Sequence, residues 1–504
     1  MERQRTYIIH FRGGIVSPGP LGALLDLLTD IGVSHVRFGM RQDMIVNIPA
    51  RRRTVFLETC GRYRIQAYTY GGAPPNVVSS YAAVNIAVDD TWLREGVYKD
   101  VFDLFDYTPL LKINICDQQQ TFVPLFTGHI NWIASASSHY WHLCLRFPKS
   151  GTFYHWPELV YTNDIARVSR ALERIILQKG AAGGHKAAQT GEALYAALRK
   201  RVSYIAKEPD APIQPNRFEL LYYEGFNKTG NAYWLGIYRR DELFNVAFLK
   251  DICTLCQQAK IAQLYTTPWK SIIIKDIPRE QRGIWGQVLS KHRINVRHAA
   301  NELNWQIEDN KDDVAALKQT IIHYFDRKDV RTYGLCFAIQ TRPRSSMFGS
   351  IVIRKRSRDY PKYLDASDRF DILYTKDFNP NANELLLFKE AIPKQTIAKH
   401  LVSLCNSFYF HHEQGIDLLP QDDEKPVAAA NKSRPVYQCR ACLTVYDPTI
   451  GDEEMGVAPD TAFEALPQDY GCPLCMADKQ QFREVAVDYL YADAPHILAL
   501  AGDK

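Results

Sequence analysis

The sequence predicts an α+β multidomain protein, on three observations. A pattern of amphipathic helix followed by strand occurs twice, two C-x-x-C pairs lie together near the C-terminus, and a polar, Pro-punctuated stretch separates them from the rest. A length of 504 residues leaves room for about three or four domains, and a hydrophobic content of 46% is ordinary for a chain that buries real cores.

The first copy reads G-G-I-V-S-P-G-P-L-G-A-L-L-D-L-L-T-D-I-G-V-S-H-V-R-F-G-M-R-Q-D-M-I-V-N-I-P. It predicts a turn, a helix whose apolar face carries Leu21, Leu24, Leu25, Leu27 and Leu28, and a strand ending at Pro49. The pattern returns between Tyr233 and Pro278, where N-V-A-F-L-K-D-I-C-T-L-C-Q-Q-A precedes I-A-Q-L-Y-T-T-P-W-K-S-I-I-I-K-D-I-P. Cys253 and Cys256 stand at i and i+3 inside this second helix, so both face one side and read as packing residues. Cys60, Cys116, Cys144, Cys336 and Cys405 follow no disulfide spacing and read the same way.

Residues 411–434 read as a flexible linker; a chain of that length has a root-mean-square span of roughly 25 Å. Beyond it, Cys439, Cys442, Cys472 and Cys475 can offer four thiolates to one point, a tetrahedral cage that suits iron or zinc. The ligands alone leave that choice open. The residues around them, Tyr437, Tyr446, Asp447, Pro448, Gly451, Asp452, Gly456, Pro459, Phe463, Leu466, Pro467, Asp469 and Pro473, closely resemble rubredoxin, the one-iron electron carrier. The resemblance covers about a tenth of the chain and implies one Fe(III)/Fe(II) centre shielded by Tyr437, Tyr446, Phe463 and Tyr470. Rubredoxins usually place Gly directly after each C-x-x-C, where the backbone is left-handed; this chain has Leu443 and Met476 there.

The repeated body resembles the siroheme-dependent nitrite and sulfite reductases, which carry two ferredoxin-like half-domains. The R-x-T-x-R-Q of their first copy is matched by Arg37, Arg41 and Gln42 with Gly39 in place of Thr, and the T-P-W of the second by Thr267, Pro268 and Trp269. The resemblance implies half-domains at 1–72 and 206–300, larger α/β reductase-like domains at 73–205 and 301–410, a rubredoxin-like domain at 435–487 and a tail at 488–504. It further implies that Arg37, Arg41 and Lys270 are the cations to meet siroheme carboxylates, although surface charge beside a turn explains them equally well. The family's C-x5-C and C-x3-C cluster ligands are absent, so no [4Fe-4S] cluster is expected. The K-x-K pair and its companion Arg are also missing; the nearest segments contain Lys112 and Arg146. No catalytic residue is assigned. The expected function is an iron-binding, one-electron carrier tethered to a degenerate reductase-like body, serving nitrogen or sulfur assimilation through a redox partner. The alternative is a divergent siroheme reductase with a built-in donor.

The net charge of +5 is uneven. Residues 435–487 hold three basic and nine acidic side chains, net −6, leaving +11 elsewhere, an asymmetry that favours electrostatically steered docking of the acidic module on the basic body or on a partner. Arg342, Arg344, Arg354, Lys355, Arg356 and Arg358 form a run without acids, and no nucleic-acid motif accompanies it. His129, His139, His142 and His155 with Trp132, Trp141 and Trp156 make an aromatic stretch that reads as core rather than as a haem pocket. No apolar run of membrane-spanning length and no signal peptide are evident, so the expected location is the cytoplasm.

Overall fold

The computed structural model describes residues 4–87, 91–147, 153–180, 187–213, 217–342, 347–356, 368–382, 384–413, 435–440, 444–448, 451–452, 455–473 and 476–486. Two compact units divide the chain, Met1–Leu418 and Leu419–Lys504.

In the first unit the duplication is structural. The helix Pro18–Asp30 starts on prolines whose missing N–H groups cost nothing in a first turn, and it buries Leu21, Leu24, Leu25 and Leu28. Its counterpart, Val246–Gln258, is capped by Asn245, whose Oδ1 accepts from Ala247 N at 2.8 Å and Phe248 N at 3.2 Å. The two helices pack on one another. Buried Cys253 and Cys256 lie in that core, as the spacing predicts, and burial pushes both thiols up.

Each helix leads into a hairpin of the same design. His35–Phe38 and Asp43–Pro49 pair antiparallel in the first repeat, Leu264–Thr266 and Ile272–Pro278 in the second. Gln42 and Lys270 occupy matching places in the two turns, with φ of 59° and 55°. Gln4–His10 and Ala232–Ile237 pair with the longer hairpin strands. The repeats then exchange edges: Ile15–Val16 of the first pairs with Leu264–Tyr265, and Phe244–Asn245 of the second pairs with His35–Val36.

The two larger sheets are also alike. In the first, Val78–Ser79, Ile113–Asp117 and Ile130–Ala134 are parallel, and Tyr140–Arg146 and Leu159–Tyr161 continue it antiparallel. Ala206–Lys207 joins its edge, just past the domain end expected at 205. In the second, Trp305–Ile307, Phe337–Gln340 and Ile351–Lys355 are parallel, followed by antiparallel Arg369–Thr375 and Leu385–Pro393. The closing helix Ile397–Glu413 runs three residues into the stretch expected to be linker.

The tryptophans of the aromatic stretch lie in the first large core, whereas its histidines do not: His129 and His142 are partly buried and His139 and His155 exposed, since alternate residues along a strand face away from the core. Trp132 Nε1 donates to Ser169 Oγ at 2.9 Å, Trp141 Nε1 to Thr162 Oγ1 at 2.9 Å and Trp156 Nε1 to the Tyr204 hydroxyl at 3.1 Å, so each buried indole is satisfied. The cationic run is a different matter, because neighbouring strands bring acids that the local sequence lacks. Lys355 pairs with Asp368 at 2.7 Å, Arg356 with Glu390 at 2.7 Å and Asp371 at 3.4 Å, and Arg342 with Glu308 at 3.5 Å. Arg354 donates to Gln340 Oε1. Arg344 and Arg358 lie outside the described residues. Among the described residues, no helix is long and apolar enough to cross a membrane.

The second unit is a three-stranded sheet in the order Val445–Tyr446, Pro435–Cys439, Phe482–Ala486. It covers a small core of Cys439, Tyr446, Leu466, Tyr470, Cys472 and Phe482, with Tyr437 and Phe463 packed against it.

Candidate metal centre and the junction of the repeats

Cys439 and Cys472 are fully buried within that aromatic core. The Tyr437 and Phe463 rings stack with centroids 4.1 Å apart, and Tyr446 and Tyr470 meet edge to face at 5.8 Å. The hydroxyls anchor the shell: Tyr470 donates to Asp452 Oδ2 at 2.6 Å and Tyr446 to Thr461 O at 2.6 Å. Both cysteine loops are tightly turned. Cys439 N donates to Thr444 O, Cys472 N to Ala477 O and Met476 N to Cys472 O, each at 2.8 Å. Met476 adopts φ 59°, the left-handed backbone expected of a Gly position, and its side chain is 71% exposed. Cys442, Cys475 and Leu443 lie outside the described residues. The two described thiols, an apolar aromatic shell and tight loops fit a four-thiolate iron site.

In the body, each cation assigned to siroheme has a protein partner. Arg37 donates to Asn310 Oδ1 at 2.9 Å and to Asp312 Oδ1 at 2.8 Å. Arg41 is partly buried and reaches Asn76 O from Nε and Nη2, Ile113 O from Nη2 and Asn114 Oδ1 from Nη1, over 2.6–3.2 Å. Lys270 is 4% exposed, with Nζ 2.8 Å from Glu242 Oε2 and 3.5 Å from Asp309 Oδ1.

Positive charge is concentrated around Arg41. Burial pulls its guanidinium down to about 10, against the raising influence of Asp43. Lys112 is lowered to about 8 by burial and then by Arg41 and Arg146, and His129 is held near about 4 by burial and then Lys112. A cavity of about 50 Å³ lies here, lined by Met40, Arg41, Lys112, Thr127, Pro268 and Gln306. Small-molecule pockets run to about 300–1,000 Å³, several times this volume.

Sequence reasoning missed the acids of the junction: Asp43, Glu242 and Glu308, all buried, and Asp309, partly buried. Only Gly39 signalled them. A Cβ there would stand 2.1 Å from Asp43 Oδ1, so the residue that departs from the motif is the one that makes room for a carboxyl.

The two repeats with their paired large sheets give the body a duplicated α+β fold. The chain matches the Mycobacterium tuberculosis NirA protein with a TM-score of 0.61, over 84% of this chain and 82% of that one, at 14% identity. Residues 436–482 match the rubredoxin family, and the C-terminal module is a rubredoxin domain. It is 51% identical over 51 residues to a high molecular weight rubredoxin of Moorella thermoacetica, covering 10% of this chain and 22% of that protein. It is also 51% identical over 47 residues to the probable rubredoxin HupJ of Rhodobacter capsulatus, covering 9% and 17%. The chain therefore spans about a fifth of the length of these two relatives. The domain implies iron bound by four cysteines and a part in electron transfer.

Proposed function

We propose that this chain is a one-electron carrier whose reductase-like body serves as a scaffold and dock for a redox partner rather than as a siroheme enzyme. The observation that carries the reading is the rubredoxin domain, with Cys439 and Cys472 sealed in an aromatic core. Iron held by Cys439, Cys442, Cys472 and Cys475 supplies an Fe(III)/Fe(II) couple. The chain's own residues do the rest. The aromatic rings exclude water, and the loop hydrogen bonds hold the cysteine backbones in place. The module's net charge of −6 steers it toward a cationic redox partner.

The scaffold role is supported by the small size of the junction cavity, about 50 Å³, by the engagement of Arg37, Arg41 and Lys270 with protein groups, and by the missing cluster-cysteine spacings. The fold itself favours a second reading, a divergent siroheme reductase with a built-in donor. Metal analysis and an optical spectrum of the untagged full chain decide. One iron per chain with ferric-thiolate absorption alone is expected. Added siroheme bands would overturn the scaffold role, and zinc in place of iron would overturn electron transfer. Cys439→Ser and Cys472→Ser should each abolish the colour.

A further inference from the structure

We propose that Asp43 and Asp309 hold one proton between them at neutral pH, and that its release loosens the junction between the first repeat and the second large domain. Asp43 heads the strand Asp43–Pro49 and is 6% exposed; Asp309 follows the strand Trp305–Ile307. The point where a Gly39 Cβ would stand is 2.1 Å from Asp43 Oδ1 and 3.2 Å from Asp309 Oδ2. One carboxyl oxygen of each acid thus borders the same small space beside Gly39, where Asp43 is buried and Asp309 partly so.

Asp43 Oδ1 has no hydrogen-bond partner. The charged groups around the pair explain why. Arg41, on the same turn, directs its donors to Asn76, Ile113 and Asn114. Lys270, from the turn of the second repeat, is closest to Glu242 at 2.8 Å and stands 3.5 Å from Asp309 Oδ1. Glu242 adds negative charge, while Lys112 and Arg342 sense Asp309 from the cavity side and the surface. A proton on one carboxyl supplies the missing donor and turns repulsion between like charges into an O–H···O bond. Burial raises both acids above the ordinary carboxylate range, and the negative charge of Asp309 adds to the rise at Asp43 as that of Glu242 does at Asp309.

Asp309 is also where the second large domain grips the first repeat. Its carboxylate accepts Met40 N at 3.1 Å, its carbonyl accepts the Tyr70 hydroxyl at 2.9 Å, and Asn310 and Asp312 beside it hold Arg37. Ionising both acids pushes these contacts apart. Met40 lines the small cavity with Arg41, Lys112 and Gln306, so the same movement opens it.

The direction with pH follows from linkage. An acid whose folded pKa is raised stabilises the closed junction fully below the ordinary value of about 4, and that stabilisation is lost as pH rises through the folded value. With one proton released on opening, the opening equilibrium grows about tenfold per pH unit in this window.

Hydrogen exchange on the iron-loaded full chain tests it, read at the amides of 37–43 and 305–312 and corrected for the intrinsic rate. Protection should fall about tenfold per pH unit between about pH 5 and pH 7. Asp43→Asn should flatten the profile, and so should Asp309→Asn, whose carbonyl oxygen can still accept from Met40 N. An infrared band of a protonated carboxyl should be present at neutral pH and absent from both variants. A flat profile in the parent protein, or a slope that survives both substitutions, overturns the proposal.

Discussion

Replacing Arg41 by Met separates two roles for the central cation of the junction, a structural tie or a seat for an anionic cofactor. The substitution keeps most of the side-chain volume and removes the guanidinium. It strands three acceptors, Asn76 O, Ile113 O and Asn114 Oδ1. Each buried acceptor left without a donor costs about 1–3 kcal/mol, a gross loss of about 3–9 kcal/mol. Against this stands the cost of burying the charge in the parent protein. Burial lowers Arg41 to about 10 from the usual 12.5, and removing it returns about 3 kcal/mol. The net destabilisation is then about 0–6 kcal/mol, centred on about 3 kcal/mol. A folded unit of this size shifts by about 1 °C per kcal/mol, so scanning calorimetry should show the body's transition falling by about 3 °C. A change within about 0.5 kcal/mol of the parent would refute the reasoning. It would mean that these hydrogen bonds contribute little and that the guanidinium is available to a ligand.

Gly39→Ala should cost about 1–3 kcal/mol, because its Cβ would overlap Asp43 Oδ1; adding Asp43→Ser should recover most of that, which a double-mutant cycle in denaturant measures. Met476→Gly should stabilise the iron module by about 1 kcal/mol by relieving the side chain at φ 59°, seen as slower iron loss to a chelator. Lys275 Nζ donates to Val84 O at 2.7 Å and Tyr81 O at 3.1 Å, lies 4.4 Å from the Tyr265 ring centre, and is lowered to about 7 by burial. The unfolded chain therefore binds the proton more readily, so stability should rise with pH from about 7 to about 10. Lys275→Met should lose that rise, as pH-dependent denaturation would show.

What the sequence made legible was whatever repeats locally. The leucines of Pro18–Asp30 and the matching apolar face of Val246–Gln258 follow a helical period, and the four cysteines sit at fixed spacing among aromatic residues that fold around them. The exchanged strands were out of reach because Ile15–Val16 and Phe244–Asn245 are two residues each, too short to show an alternation. The partners of the cationic run were out of reach for a related reason. Asp371 and Glu390 are well separated from Arg356 in sequence, yet the sheet register sets them beside it. Asp43 and Asp309 are far apart along the chain, and only the unusual Gly39 hinted that something occupied the space beside it. The rubredoxin module was read correctly because its chemistry is written in one short segment.

The exchanged edges also bear on how the body assembles. Neither repeat has a complete sheet of its own, so a fragment holding only the first would leave His35–Phe38 without its outer neighbour, and one holding only the second would leave Leu264–Thr266 bare. Bare strand edges invite pairing with other chains. The body is thus equivalent to a swapped dimer whose two subunits share one polypeptide. Expressed separately, the two halves should be insoluble or bind each other, with a stability that depends on their concentration.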